Sequence, residues 1–94
     1  MLCPAVTTQF QKDKKKALKQ KKNLTALLKI MDKLINEEPL EARYCDHPLK
    51  GNWNGFRDCH VENDWVLIYR VDKVKKQIIF VRQGTHSEFL GEQK

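Results

Sequence analysis

The sequence predicts an α+β domain in which two N-terminal helices pack on a twisted antiparallel β-sheet and a short helix closes the C-terminal end. Three observations carry that class. Apolar residues recur at helical spacing from Leu24 onward, three later segments are rich in β-branched and aromatic residues between turn formers, and glycine is absent before Gly51. The 94 residues are enough for one domain, expected to run over 1–94, with one modest core.

Taken in order, Leu2 to Thr7 is expected to form a short edge strand. The lysine-rich segment after it holds good helix formers and lacks Gly and Pro, with Phe10, Ala17 and Leu18 as its candidate core contacts. It reads as a thinly packed helix with a basic outer face, joined to the next helix near Asn23. Leu24, Leu27, Leu28, Met31, Leu34 and Ile35 then follow the three-four spacing of a helix with one buried stripe, with Asn23 as N-cap and Pro39 as stop. Three strands are expected at Gly55–Val61, Trp65–Asp72 and Gln77–Gln83, joined by Glu62-Asn63-Asp64 and by a turn over Asp72 to Lys76. Short connections make this an antiparallel meander, and three strands bury too little unless the helices cover one face. Thr85 and Glu88 stand at capping-box spacing, which would start a last helix at His86 and end it at Gly91.

Composition narrows the function classes. Hydrophobic residues at 40% and charged residues at 32% suit a soluble globular protein. The longest apolar run, Trp65 to Tyr69, is too short to span a bilayer, and the N-terminus lacks the pattern of a signal peptide, so the expected address is the cytoplasm with no membrane partner. Cys3, Cys45 and Cys59 are an odd number without Cys-x-x-Cys spacing, so reduced thiols are expected. The net charge of +6 is concentrated: Lys12 to Lys22 holds seven lysines and one aspartate, while the rest of the chain is balanced. Such a patch attracts nucleic acid or an acidic protein, or is simply a solvated helix face.

His47, His60 and His86 lie in the second half with Asp46, Asp58, Asp64, Arg57 and Arg82. Period-two geometry puts Phe56, Asp58 and His60 on one strand face and Arg57, Cys59 and Val61 on the other. If Cys59 and Val61 face the helices, Asp58 and His60 face away from the core. On the last strand Ile78, Phe80, Arg82 and Gly84 share a side, which lets Arg82 stand beside the histidine row if the register allows. Imidazoles titrate near neutrality, so a pair around a phosphodiester can move protons at both ends of the reaction, and an arginine can counter phosphoryl charge. This set suits cleavage of RNA by its own 2′-hydroxyl, with no metal or other cofactor. Zinc held by Cys45, His47, Cys59 and His60 is disfavoured, because Cys59 and His60 project to opposite faces. A Cys45–His47 nucleophilic pair lacks an orienting group and an oxyanion site.

The runs Asp46-His47-Pro48-Leu49-Lys50-Gly51-Asn52-Trp53-Asn54-Gly55-Phe56-Arg57-Asp58-Cys59-His60-Val61, Asp64-Trp65-Val66-Leu67-Ile68-Tyr69 and Arg82-Gln83-Gly84-Thr85-His86-Ser87-Glu88 together resemble YafQ-type toxins of the RelE/ParE superfamily. The resemblance implies a microbial-ribonuclease-like α+β fold and an endoribonuclease toxin of a type II toxin–antitoxin pair, which cuts translated mRNA in the ribosomal A site without metal. It implies His47, Asp58, His60, Asp64 and His86 as catalytic residues. His86 would be the general acid, and one of His47, His60 and Asp64 the base. It implies Arg82 on the scissile phosphate, with Lys14, Lys15, Lys16, Lys19, Lys22, Lys50 and Phe89 as further RNA contacts. Implied partners are mRNA, the ribosome with its rRNA, an acidic, partly disordered DinJ-like antitoxin, and operator DNA for the toxin–antitoxin complex. The family commonly ends in Leu-Phe, whereas this chain has Phe89-Leu90, which shifts any ring contact by about 100° around a helix. A non-catalytic RNA- or protein-binding module and a ParE-like gyrase inhibitor are the alternatives.

Overall fold

The computed structural model describes residues 1–62 and 65–85. The chain runs β1 (Cys3–Val6), α1 (Thr8–Lys19), α2 (Leu24–Ile35), β2 (His47–Pro48), β3 (Arg57–Glu62), β4 (Trp65–Asp72) and β5 (Gln77–Thr85), with one-turn 3-10 helices at Ala42–Tyr44 and Gly51–Trp53. The strands form one five-stranded sheet in the order β1-β5-β4-β3-β2. The expected meander is its centre. The sheet is mixed rather than wholly antiparallel, because β1 joins β5 in parallel, Cys3 opposite Gln77 and Val6 opposite Phe80. The terminal helix expected over His86 to Gly91 lies outside the described residues.

Local chemistry explains the helices. Thr7 caps α1 by accepting from the Phe10 amide at 3.0 Å while its hydroxyl donates to the Val81 carbonyl at 2.6 Å, tying the helix start to β5. Asn23 caps α2 by accepting from the Ala26 amide at 3.3 Å. Both helices stop in the same way. Lys21 and Glu37 take left-handed φ values of 56° and 58°, and the Lys22 and Glu38 amides reach back to the carbonyls of Ala17 and Lys33. α2 therefore ends four residues before Pro39, on its own cap.

One face of the sheet meets the helices. Phe10, Ala17, Leu27, Ile30 and Leu34 pack against Cys59, Val61, Trp65, Leu67, Tyr69, Ile78 and Phe80. Leu18, expected in this core, is 55% exposed; the third α1 side chain that turns inward is Asp13. The opposite face carries a second cluster of Leu49, Val66 and Ile68, edged by Trp53, Phe56 and Val81. The segment from Leu49 to Phe56 folds over that face and is closed by the Leu49 amide on the Phe56 carbonyl at 2.9 Å. Gly55 makes the return with a φ of +94°, which L side chains rarely adopt.

Two register shifts decide which residues share a face. In β3, His60 pairs with Val66 and Glu62 with Trp65, so Val61 is a bulge. In β5, Phe80 pairs with Tyr69 and Arg82 with Ile68, so Val81 is the extra residue. The simple alternation that placed Ile78, Phe80 and Arg82 together therefore breaks. Ile78 and Phe80 face the helices, while Arg82 takes the register position of Ile68. Phe80 is fully buried against the Phe10 ring, with centroids 6.1 Å apart. Phe80→Ala should cost about 3–5 kcal/mol, read from urea unfolding followed by circular dichroism.

Candidate active site

The cross-strand register builds a row. His47 on β2 stands opposite Asp58 on β3, Asp58 opposite Ile68 on β4, and Ile68 opposite Arg82 on β5. At the usual strand spacing the four Cα positions span about 14 Å. His47, Asp58 and Ile68 face away from the helices; Arg82 takes the matching register position, and its guanidinium reaches Asp13 of α1. His60, two residues beyond Asp58, shares its face one position along, opposite Val66 and Gly84.

The tightest chemistry is between His47 and Asp58. His47 Nε2 lies 3.0 Å from Asp58 Oδ1, and its Nδ1 lies 2.6 Å from the Cys45 carbonyl. A carbonyl only accepts, so Nδ1 carries a proton and the ring's tautomer is set. Nε2 is engaged by the carboxylate. The His47 side chain is 48% exposed and that of Asp58 fully buried, so the imidazole faces solvent with a carboxylate behind it. Asp58 does turn away from the helices as expected, yet it is not open to solvent: the apolar cluster of Leu49, Val66 and Ile68 buries that same face.

Neighbouring residues hold the imidazole in place. Cys45 takes a left-handed φ of 50°, which turns the chain into β2. Alternation then sends Asp46 to the helix side, where its Oδ1 accepts from Tyr69 Oη at 2.6 Å and from Arg57 Nε at 3.3 Å. Burial, and the hydrogen bond to Asp46, push the Tyr69 phenol well above its ordinary range. Burial likewise raises the Cys59 thiol, which keeps it a protonated core group rather than a nucleophile.

Arg82 is fixed by α1. Asp13, only 7% exposed, accepts from Arg82 Nε and Nη2 at 3.1 Å each and from the Gln83 amide at 3.3 Å. Gln83 in turn accepts from the Trp65 indole. A two-pronged contact orients the guanidinium plane, which a single contact would leave free to rotate.

The structure thus brings His47, Asp58 and Arg82 into one row, with His60 beside it. Asp64, His86 and Phe89 lie outside the described residues. Lys14, Lys15, Lys16 and Lys19 are exposed along α1, Lys22 is partly covered, and Lys50 is exposed on the segment that covers Asp58. Among the described residues no group of three or more His, Cys, Asp or Glu is arranged to hold a metal ion. No described helix is long and apolar enough to cross a membrane. Asp13 and Tyr69 were not singled out from sequence. Asp13 did leave a signal, as the one acid in the lysine run, whereas nothing separates Tyr69 from its apolar neighbours.

Comparison with known proteins follows the same lines. The family described as "Bacterial toxin of type II toxin-antitoxin system, YafQ" matches residues 3–91. The mRNA interferase toxin YafQ of Escherichia coli strain K12 is 48% identical over 84 residues, covering 88% of this chain and 89% of that protein. The crystal structure of YafQ from E. coli strain BL21(DE3) superposes with a TM-score of 0.89 at 42% identity, over 97% of this chain and 100% of that one. A chain from the E. coli DinJ–YafQ complex gives 0.88 at 43% identity, with the same coverage.

Because the Tyr69 and Cys59 values are raised in the folded state, their contribution to stability is complete below the ordinary values of 10.0 and 9.0 and is lost as pH climbs above them. Unfolding midpoints should fall above about pH 9, and Tyr69→Phe should flatten the part of that fall beyond pH 10. At neutral pH the same variant should cost about 1 kcal/mol, from the lost hydrogen bond to Asp46.

Proposed function

The chain belongs to the YafQ family of bacterial toxins of type II toxin–antitoxin systems, and from that membership we propose that it is an endoribonuclease that cuts mRNA undergoing translation in the ribosomal A site. The observation that carries the reading is the half-exposed His47 imidazole backed by the buried Asp58 carboxylate. Relatives named as mRNA interferases support the substrate class.

In this reading His60 or Asp64 is the general base, since both His47 ring nitrogens are engaged, Nδ1 by the Cys45 carbonyl and Nε2 by Asp58. The base takes the proton of the 2′-hydroxyl, the 2′-oxygen attacks the adjacent phosphorus, and the 5′-oxygen leaves with a proton delivered by a general acid. The products are a 2′,3′-cyclic phosphate and a 5′-hydroxyl. Asp58 does not touch the substrate; it is a positioning residue that holds the half-exposed His47 ring toward the charge developing on the phosphoryl group. Arg82 counters the charge that builds on the phosphoryl oxygens. By family resemblance His86 is the general acid, and His60 and Asp64 complete the acid–base set. These roles need no metal.

The exposed lysines of α1 form the second part of the proposal. Lys14, Lys15, Lys16 and Lys19 present charge to rRNA phosphates, with Lys22 and Lys50 as further contacts, and counterion release makes that attachment salt-dependent. The DinJ–YafQ complexes support a cognate antitoxin for this chain, an acidic segment laid over the same basic face. The toxin–antitoxin complex would then bind operator DNA.

In a translating extract the wild-type protein should release fragments ending in a 2′,3′-cyclic phosphate. His47→Ala should lower the single-turnover rate by about 10²–10⁴-fold. Asp58→Asn should lower it as well, and should move the pH–rate profile, which a merely structural change would leave in place. An unaltered rate in His47→Ala sinks the assignment. Replacing Lys14, Lys15 and Lys19 together by Gln should weaken ribosome binding and reduce the slope of log affinity against log salt by about two units, read from sedimentation at several salt concentrations.

A further inference from the structure

β2 pairs with Arg57 and Asp58, so among the described residues no strand covers the edge of β3 from Cys59 on. A cleft of about 560 Å³ opens there, between the start of α2 and the one-turn helix at Ala42–Tyr44. Asn23 and Lys29 line it from α2, Arg43 and Tyr44 from the short helix, and His60 and Glu62 from β3. From that helix the chain passes through Cys45 and Asp46 directly into His47, so the cleft and the His47–Asp58 pair are neighbours on one edge of the sheet.

The lining chemistry is that of a nucleotide site. The Arg43 guanidinium lies 4.8 Å from the centre of the Tyr44 ring and donates to its hydroxyl at 2.8 Å, which fixes the two side chains as a stacked pair. Arg43 nevertheless keeps 69% of its side chain exposed, leaving the outer face of the stack open to a base. Lys29 and Arg43 place two cations on the cleft, while Glu62 lines it and Glu41 contacts Arg43 at 3.5 Å. Local charge is therefore nearly balanced, unlike that of α1. A polyanion drawn by charge alone would prefer α1; a ligand of this cleft gains from stacking as well as from a phosphate.

We propose that the cleft is a subsite for single-stranded RNA, holding the nucleotide next to the one whose linkage is cut, with its base on the Arg43–Tyr44 stack and its phosphate near Lys29. The proposal rests on the ribonuclease reading above and extends it: His60, at the rim, would be where the flanking nucleotide leaves the cleft for the catalytic row.

The test uses the full chain and a fluorescein-labelled hexauridylate methylated at every 2′-oxygen, followed by anisotropy, with a 4-thiouridine version for photocrosslinking. Tyr44→Leu should weaken binding by about tenfold. Tyr44→Phe should retain it, since the ring remains. Arg43→Gln should weaken binding and Lys29→Gln should lower the salt slope by about 0.7, whereas Lys73→Gln, in the distant turn between β4 and β5, should do neither. Crosslinks should map to residues 42–44 or 60–62. Binding unchanged in Arg43→Gln and Tyr44→Leu, crosslinks confined elsewhere, no binding by the wild type, or loss of antitoxin affinity in place of RNA affinity each overturns the proposal. If the wild type cleaves translated message while these variants bind RNA normally, only the subsite fails; if it cleaves nothing, the ribonuclease reading fails.

Discussion

The site depends on the register of four strands. Directly opposed residues on antiparallel strands share a face, so His47, Asp58, Ile68 and Arg82 form a line only because each pairing is set as it is. The bulge at Val81 is the critical step. Without that extra residue Arg82 would fall into the alternation of Ile78 and Phe80, whose side chains are buried in the core. Asp13 secures the outcome by holding both the guanidinium and the Gln83 amide immediately after the bulge. A helix that otherwise shows lysines to solvent thus fixes the strand that completes the row.

Burial divides labour between the partners of the central pair. A carboxylate removed from water depends on its partners, and Asp58 meets His47 at 3.0 Å. The imidazole, half in solvent, keeps access to a substrate. The covering segment from Leu49 to Phe56 creates this asymmetry, with Trp53 and Phe56 packed edge to face at 5.5 Å. Two apolar clusters, one on each side of a thin sheet, therefore serve different ends. The larger stabilises the fold and the smaller sets the dielectric around a carboxylate.

Much of this was legible in the sequence. Helical spacing from Leu24 and period-two alternation around Asp58 located α2, β3 and the faces of Cys59 and His60, because both signals are local. The three central strands and the edge strand at the N-terminus were likewise in place. What escaped was non-local. The parallel pairing of β1 with β5 joins segments more than seventy residues apart, and a bulge has no sequence signature at Val81. Leu18 looked apolar and Asp13 polar, but the partner available to each decided burial: Asp13 met an arginine, while Leu18 met nothing. The contacts of Tyr69 with Asp46 belong to the same class, since only the assembled sheet brings a strand residue against the loop ahead of β2.

The position of β1 has a consequence for how the molecule comes into being. Its partner in the sheet is the last strand described, and Thr7 and Asp13 also bond to residues 81–83. β1 must wait, unpaired, until β5 has been made. Pairings of such long sequence separation assemble late and slowly. Arg82 takes its place in the same closing event, so a chain that has not yet reached β5 lacks the assembled row.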